Sequence, residues 1–398
     1  MSTTSRVAGC FDAAALERVL APFGQSRNLP QEAYTSEEVF AWELHSLYGK
    51  SWVCVGRADD LDHAGKLRGV QLGADGILLA RGSDGVLRGF FNVCRHRGHE
   101  LLEPGGRAQA RVIRCGYHGW TYELDGALKV APRFGDVPGF EASDHALAPA
   151  RIEEWGGWVF ANPSGEAAPL AEWLGELDEL VRDYEPERAR TGAELSYEVA
   201  ANWKLVHENY HECYHCPQIH PQLCKVSPPD SGRNLKYKGL FVGGPMDLME
   251  HAVTMSLDGR SQGVFMRRLP AAKQRQLYYY GLLPNLFISL HPDYILTHRL
   301  EPLAHNRTRI ECQWLFPPEA FEKEGFSAQY AVDFWDMTNR QDWKALESMQ
   351  RGISSRGYRP GPLSQREGGI YQFVTQMARA YLEGGFAAAG EAPAATPS

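Results

Sequence analysis

The sequence predicts an α+β chain: a small antiparallel β domain over residues 51–162, then a larger α+β domain over 163–386 with a central antiparallel sheet. Two observations carry this. From Trp52 to about Phe160, short apolar runs are punctuated by glycine, as in Val53-Cys54-Val55-Gly56, Gly76 to Arg81 and Val86 to Phe91. Beyond them, strand-like runs (Gln276 to Tyr280, Leu286 to Leu290) mix with helical periodicity over Tyr330 to Gln350. An amphipathic helix is expected over 168–184, through Leu170, Leu174, Leu177, Leu180 and Val181. Residues 1–50 are expected to form an N-terminal helical segment packing on that larger domain. It holds a short amphipathic piece around Phe11 to Phe23 and a helix opened by a Thr35/Glu38 capping box, with Phe40, Leu44, Leu47 and Tyr48 at helical spacing. The Ala/Pro-rich tail, 387–398, is expected to be disordered.

The 398 residues suffice for two or three domains with their own cores, and 43% apolar and 23% charged content is ordinary for a globular protein. A net charge of −8 argues against nucleic acid or an anionic membrane as the main partner. The polar start Met1-Ser2-Thr3-Thr4-Ser5 lacks an apolar signal core, and no run of eighteen apolar residues occurs. The expectation is a cytoplasmic protein with its eight cysteines reduced. Clustered cysteines then point to metal rather than to disulfides.

Within the β domain stand Cys94-Arg95-His96 and Cys115-Gly116-Tyr117-His118-Gly119-Trp120, separated by residues 97 to 114. Each pair offers one thiolate and one imidazole. Two Cys on one iron and two His on the other is the donor set of a Rieske [2Fe–2S] centre, where neutral imidazoles raise the potential above that of an all-Cys cluster. Tyr117 and Trp120 stand as outer supports of that site. Zinc binds the same donors, but commonly with Cys grouped with Cys and His with His. Two loops with satisfied histidines and no metal form the third reading.

A second constellation lies in residues 202–220, Asn202-Trp203-Lys204 through Cys216-Pro217-Gln218-Ile219-His220. Nothing forbids a helix up to Cys216, and Pro217 argues that it ends there. On such a helix Glu208, Glu212 and His215 share one face. The chain after Pro217 can bring His220 back to His215, and two imidazoles with a distant carboxylate make the facial triad of non-haem Fe(II). The best carboxylate is Asp342, which shares a helical face with Trp335, Thr338 and Leu346. Alone, Asp342 reads as a surface or salt-bridged residue; a metal accounts for a carboxylate among apolar neighbours. Two other readings stay open: zinc on Cys213, Cys216, His220 and Cys224, and a plain helix whose polar side chains face solvent.

Together these motifs resemble the α subunit of Rieske non-haem iron oxygenases, from roughly Tyr34 to Met377 and in that family's domain order. The resemblance implies a Rieske [2Fe–2S] cluster on Cys94, His96, Cys115 and His118, and a mononuclear Fe(II) on His215, His220 and Asp342 with O2 as co-substrate. It places Asn209 near the iron. It gives Glu212 the role of the acid that bridges the two centres across a subunit boundary, where ring-hydroxylating members commonly carry Asp. It further implies a head-to-tail homo-oligomer, a trimer, fed by an NAD(P)H-dependent flavin/iron–sulfur reductase. The wording Glu208 to Cys216 looks like the branch acting on quaternary ammonium compounds (glycine betaine, proline betaine, carnitine and choline monooxygenases), and Gly244 to Leu248 and Thr254 to Gly259 are similar to betaine-demethylating members. The implied reaction on a small-molecule substrate is oxidative N-demethylation with release of formaldehyde. Trp335, Thr338 and His291 are the candidate substrate contacts, whereas Tyr278-Tyr279-Tyr280 reads as strand, its neighbours alternating between faces. The alternatives are hydroxylation or O-demethylation of an aromatic or natural-product substrate, and an electron carrier, which leaves Glu212 to His220 without purpose.

Overall fold

The structure is a computed structural model that describes residues 10–386; the tail assigned to disorder lies outside the described residues. The chain divides into two compact units, Tyr48–Ala167 and a second built from Met1–Leu47 with Ala168–Ser398. No helix of the described residues is long and apolar enough to cross a membrane.

The first unit is all β. Its strands are β1 (Val53–Arg57), β2 (Lys66–Leu72), β3 (Asp75–Arg81), β4 (Leu87–Phe91), β5 (Arg107–Gln109), β6 (Ile113–Arg114), β7 (Thr121–Tyr122), β8 (Leu128–Val130), β9 (Pro149–Trp155) and β10 (Trp158–Asn162). Seven of them make an antiparallel sheet in the order β1-β10-β9-β4-β3-β2-β5, and β6-β7-β8 make a small second one. The apolar runs read from the sequence are β1, β3 and β4. Between the sheets, Leu67, Leu78, Phe90, Ile113, Trp120 and Tyr122 form a core that includes Cys94 and Cys115. Both thiols are therefore held in apolar surroundings, while the loops that carry them run out to the surface.

The second unit is a six-stranded antiparallel sheet, ordered β11-β16-β15-β14-β13-β12. Its strands are β11 (Arg190–Val199), β12 (Phe241–Asp247), β13 (Gln276–Leu282), β14 (Leu286–Leu290), β15 (Ile295–Ala304) and β16 (Arg307–Phe316). Every side chain of β14 is buried, so this strand is covered on both faces. The helices that matter here are α1 (Glu37–Glu43), α2 (Trp203–Tyr210), α3 (Gln329–Ile353) and α4 (Gly368–Glu383).

Three expectations are corrected. The N-cap of α1 is Ser36, whose hydroxyl accepts from Val39 N–H at 3.3 Å; Thr35 instead closes the preceding turn by donating to the Gln31 carbonyl at 3.0 Å. The stretch 168–184 is not one helix but Leu170–Leu174 and Leu177–Val181, broken at Gly175. There φ is +55° and an added Cβ would stand 2.2 Å from the Lys238 carbonyl, so only glycine fits. Third, α2 ends at Tyr210, and the helix does not run on to Cys216. The Glu212 carboxylate takes the backbone N–H groups of Tyr214 and His215, which fixes a turn in place of another helical turn. Pro217 then sits in the first turn of a short helix, Cys216–Ile219, where its fixed φ and missing N–H are tolerated.

Helix α2 is capped by Asn202, whose side chain accepts from Lys204 N–H at 3.0 Å. Its first turn is locked by a buried charge network. Lys204 Nζ lies 2.7 and 3.0 Å from the two Glu43 oxygens, with both side chains fully buried. Glu43 also accepts from Trp203 Nε1–H at 2.8 Å and from the Tyr381 hydroxyl at 2.5 Å. One carboxylate thus ties α1, α2 and α4 together. Glu208, one turn on, accepts from the Tyr34 hydroxyl at 2.7 Å. Burial pushes its carboxyl up to about 7, against the opposing pull of Tyr34 and Lys204. It therefore belongs to the core and does not share a face with Glu212 and His215.

Two outcomes follow from this network. Lys204→Met strands a buried carboxylate and is expected to lower the unfolding free energy by about 3–5 kcal/mol in denaturant titration; a loss under about 1 kcal/mol would show the pair to be dispensable. Between about pH 4.5 and 7 the folded chain keeps the Glu208 proton that the unfolded chain has released, so this group's contribution to stability falls as pH rises through that window. Glu208→Gln keeps a neutral partner for Tyr34, and its stability relative to the native chain is expected to climb by about 3 kcal/mol from the low to the high end of the window.

Candidate metal centres and substrate cavity

The two loops of the β unit have the same build. Cys94 N–H donates to the His99 carbonyl at 2.9 Å and Gly98 N–H to the Cys94 carbonyl at 3.0 Å. Cys115 N–H donates to the Trp120 carbonyl at 2.8 Å and Gly119 N–H to the Cys115 carbonyl at 3.2 Å. Gly98 and Gly119 take φ of +73° and +74°, which closes each turn without a Cβ in the way. The loops bring His96 and His118 to 4.6 Å between ring centroids. Trp120 stacks on His96 at 4.9 Å and 8°, and Tyr117 lies 3.8 Å from His118. Burial, with His118 and Arg97 beside it, holds the His96 imidazole below its ordinary value and so neutral, the form that ligates metal. Burial pushes the Cys94 thiol up. Two buried thiols and two neighbouring imidazoles fit a Rieske cluster. Sequence reasoning missed Tyr122, whose oxygen accepts from Arg95 N–H at 3.0 Å and whose O–H points to Cys94 Sγ at 3.2 Å. Nothing in its spacing marks it, because only the β6–β7 pairing carries it back to that sulfur.

In the second unit the turn after α2 and the middle of α3 meet. His215, His220 and Asp342 place their ligand atoms within 4.8 Å of one another, the one such group found among the described residues. His220 Nε2 lies 2.9 Å and His215 Nε2 3.5 Å from Asp342 Oδ1. Asn209 Nδ2–H donates to the same oxygen at 3.0 Å and stands 3.4 Å from His215 Nε2. The outer nitrogens decide which one faces inward. His215 Nδ1 meets Glu212 Oε1 at 2.5 Å, and His220 Nδ1 meets Gln341 Oε1 at 2.8 Å. With Nδ1–H donating outward, both rings present Nε2 lone pairs to the space beside Asp342. Two imidazoles and one carboxylate on one side, with the other side open, fit a non-haem iron. Gln341 was not anticipated; its neighbour Asp342 was the only pointer, and a helix register alone does not tell that position 341 reaches His220.

One expectation fails here. Cys213 and Cys216 are joined by a disulfide, with 4.9 Å between their Cα atoms, whereas the Cys94, Cys115, Cys224 and Cys312 thiols are not so joined. Because α2 stops at Tyr210, the turn folds these two side chains together. The zinc reading of Cys213, Cys216, His220 and Cys224 loses two of its four donors with it.

The triad opens on a cavity of about 470 Å³. Tyr210, Tyr279, Phe287, Trp335 and Thr338 line it. Tyr210 stacks on Phe287 at 4.1 Å, and Tyr279 stands 6.1 Å from Tyr210 and 6.3 Å from Trp335. Alternation along β13 holds: Tyr279 faces the cavity, while Tyr278 and Tyr280 lie together on the other side at 6.2 Å. His291 does not line the cavity. It is fully buried, 5.5 Å from Trp335 and stacked on Tyr294 at 4.1 Å, in the turn that closes β14 onto β15. His298, which was not anticipated, lines the wall and is held neutral, at about 4, chiefly by burial.

The chain was compared with known families, proteins and structures. A Rieske [2Fe–2S] domain matches residues 51–141, and the ring-hydroxylating α-subunit catalytic domain matches residues 186–383. The glycine betaine monooxygenase oxygenase subunit of Chromohalobacter salexigens is 31% identical over 380 residues, covering 87% of this chain and 84% of that protein. The carnitine monooxygenase oxygenase subunit of Escherichia coli K12 is 38% identical over 337 residues, covering 83% and 85%. The quaternary ammonium Rieske monooxygenase CntA, 26% identical, superposes with a TM-score of 0.78 in a structure described in terms of carnitine oxidation and inter-subunit electron transfer. With γ-butyrobetaine bound the score is 0.76; both cover 92% of this chain and 98% of the other. Naphthalene 1,2-dioxygenase from Rhodococcus sp., at 19% identity and a TM-score of 0.76 over 95% and 98%, shares the fold. The chain belongs to the ring-hydroxylating α-subunit family of Rieske non-haem iron oxygenases, enzymes that work with a [2Fe–2S] cluster, a mononuclear iron and O2.

Proposed function

We propose that this oxygenase N-demethylates a betaine-like quaternary ammonium compound. The observation that carries the reading is the aromatic wall. Tyr210, Tyr279, Phe287 and Trp335 line the cavity into which the triad opens, and the faces of such rings attract a cation that cannot hydrogen-bond. Burial keeps His298 neutral and holds His211 well below its ordinary value, while Glu212, Asp230 and Asp342 add negative charge to the wall. The oxygenase subunits acting on glycine betaine and carnitine named above agree with this chemistry.

In this reading Cys94 and Cys115, with His96 and His118, would hold the cluster, and His215, His220 and Asp342 would hold the mononuclear iron. The two groups supply single electrons and O2 activation when bound. What the chain supplies is position. Asn209 anchors the Asp342 carboxylate, Gln341 and Glu212 fix the two imidazole tautomers, and the aromatic wall holds an N-methyl group towards the open side of the triad. Hydroxylation of that methyl gives a carbinolamine, which collapses to formaldehyde and the demethylated amine. His118 and Tyr117 are exposed on the β unit, Tyr117 by 55%. This supports transfer from that surface to Glu212 and His215 of a neighbouring subunit in a head-to-tail trimer, as well as reduction by a separate NAD(P)H-dependent reductase.

The test is formaldehyde release coupled to substrate-dependent NADH oxidation with a surrogate Rieske reductase, across glycine betaine, carnitine, choline, methoxyaromatics and plain aromatics. Formaldehyde from a methylammonium compound alone is expected; formaldehyde from methoxyaromatics, or a hydroxylated ring with none, would overturn the reading. Two variants test the ligand assignment. His215→Ala is expected to lose the mononuclear iron and keep the red-brown cluster by metal analysis and absorbance. Glu212→Gln is expected to keep both and lose about 10- to 100-fold in turnover. Loss of both metals in the first, or full turnover in the second, would show the roles to be misplaced.

A further inference from the structure

Tyr279 and Trp335 account for one end of a betaine-like substrate. The other end of such a molecule is a carboxylate, and the cavity wall holds two guanidinium groups, Arg233 and Arg366. Arg233 is committed: its Nη2 lies 3.2 Å from Asp247 Oδ1. Arg366 is not, for only its backbone N–H is engaged, donating to Ser364 Oγ at 3.1 Å, and its guanidinium has no hydrogen bond or ion pair among the described residues. The remaining basic groups on the wall carry no free charge to offer. Burial keeps His211 and His298 neutral, and His215 and His220 face Asp342. Arg366 is thus the one uncommitted cation on the wall among the described residues.

Its loop is held in place. Ser364 N–H donates to Glu367 Oε2 at 2.6 Å, Asn28 N–H donates to the Gly361 carbonyl at 3.0 Å, and Arg27 bridges Pro362. Directly after the loop, Gly369 in the first turn of α4 lies so near the His211 carbonyl that an added Cβ would stand 2.4 Å from it. The loop is therefore clamped to the residue that precedes Glu212, on the rim of the same cavity. A guanidinium there can fork onto a carboxylate through two parallel N–H···O bonds, which an ammonium cannot do. The bland alternative is a solvated surface arginine, since the side chain is exposed.

We propose that Arg366 binds the carboxylate of a zwitterionic substrate whose quaternary ammonium lies against Tyr279 and Trp335, so that the site selects trimethylammonium carboxylates over the corresponding amino alcohol. This rests on the ammonium reading above. It is tested on the holoenzyme by the fluorescence of Trp335 and Trp343, both on the cavity wall, titrated with glycine betaine, γ-butyrobetaine and choline, together with steady-state kinetics on each. Arg366→Gln is expected to raise Kd and KM for the two carboxylates about tenfold relative to those for choline, with the loss in KM rather than in kcat, and Arg366→Lys to recover part of it. An equal factor for choline and the carboxylates overturns the proposal, as does a selective loss in Arg233→Gln in place of Arg366→Gln. If the unsubstituted enzyme binds none of the three, the ammonium reading itself falls, and that result is seen without any variant.

Discussion

The buried contact between Glu43 and Lys204 is the constraint on which the catalytic unit depends. Two opposite charges removed from water are costly unless well partnered, and here the carboxylate receives Lys204, Trp203 and Tyr381 at once. The arrangement is not an efficient way to gain stability. It is a specific one, because only one rotation of α2 brings Trp203 and Lys204 to the same carboxylate. That rotation aims Asn209 at Asp342 and hands the chain to the turn that carries Glu212 and His215. The Asn202-Trp203-Lys204 motif is the mount of the turn that brings His215 and His220 to Asp342.

Both candidate metal centres solve the same problem, that of presenting imidazole nitrogens in a fixed state. In the β unit the turns do so with backbone hydrogen bonds closed by Gly98 and Gly119, and the rings are backed by Trp120 and Tyr117. In the catalytic unit the outer nitrogens of His215 and His220 are engaged by Glu212 and Gln341. Glu212 has a double task there. Its second oxygen takes the backbone N–H groups that stop α2, so the residue that orients His215 also builds the turn on which His215 stands. A glutamate has the reach to do both from three residues away.

The cavity divides its chemistry by charge. Aromatic faces and neutral imidazoles make one part of the wall suited to a cation without hydrogen-bond donors. Trp335 is fixed there by its N–H bond to the Tyr294 hydroxyl at 2.7 Å, so its ring face is pre-set rather than recruited by ligand.

The sequence by itself determined the donor sets and the two-part architecture. Cys-x-His with Cys-x-x-His, and His215 with His220 and a carboxylate, are chemically narrow combinations, and strands such as Leu286–Leu290 declare themselves by apolar runs between turn residues. What only the tertiary structure decided is where elements stop and which side chains meet across the chain. Helical propensity over 203–216 is lawful up to Cys216, but the Glu212 carboxylate outcompetes it by capturing two backbone donors, those of Tyr214 and His215. Gln341 on His220, Tyr122 on Cys94 and Tyr279 on the cavity wall are contacts between residues 28 to 121 positions apart or choices between two faces of one strand. Periodicity says that a residue faces one way or the other; the sheet and the helix packed on it say which way is in.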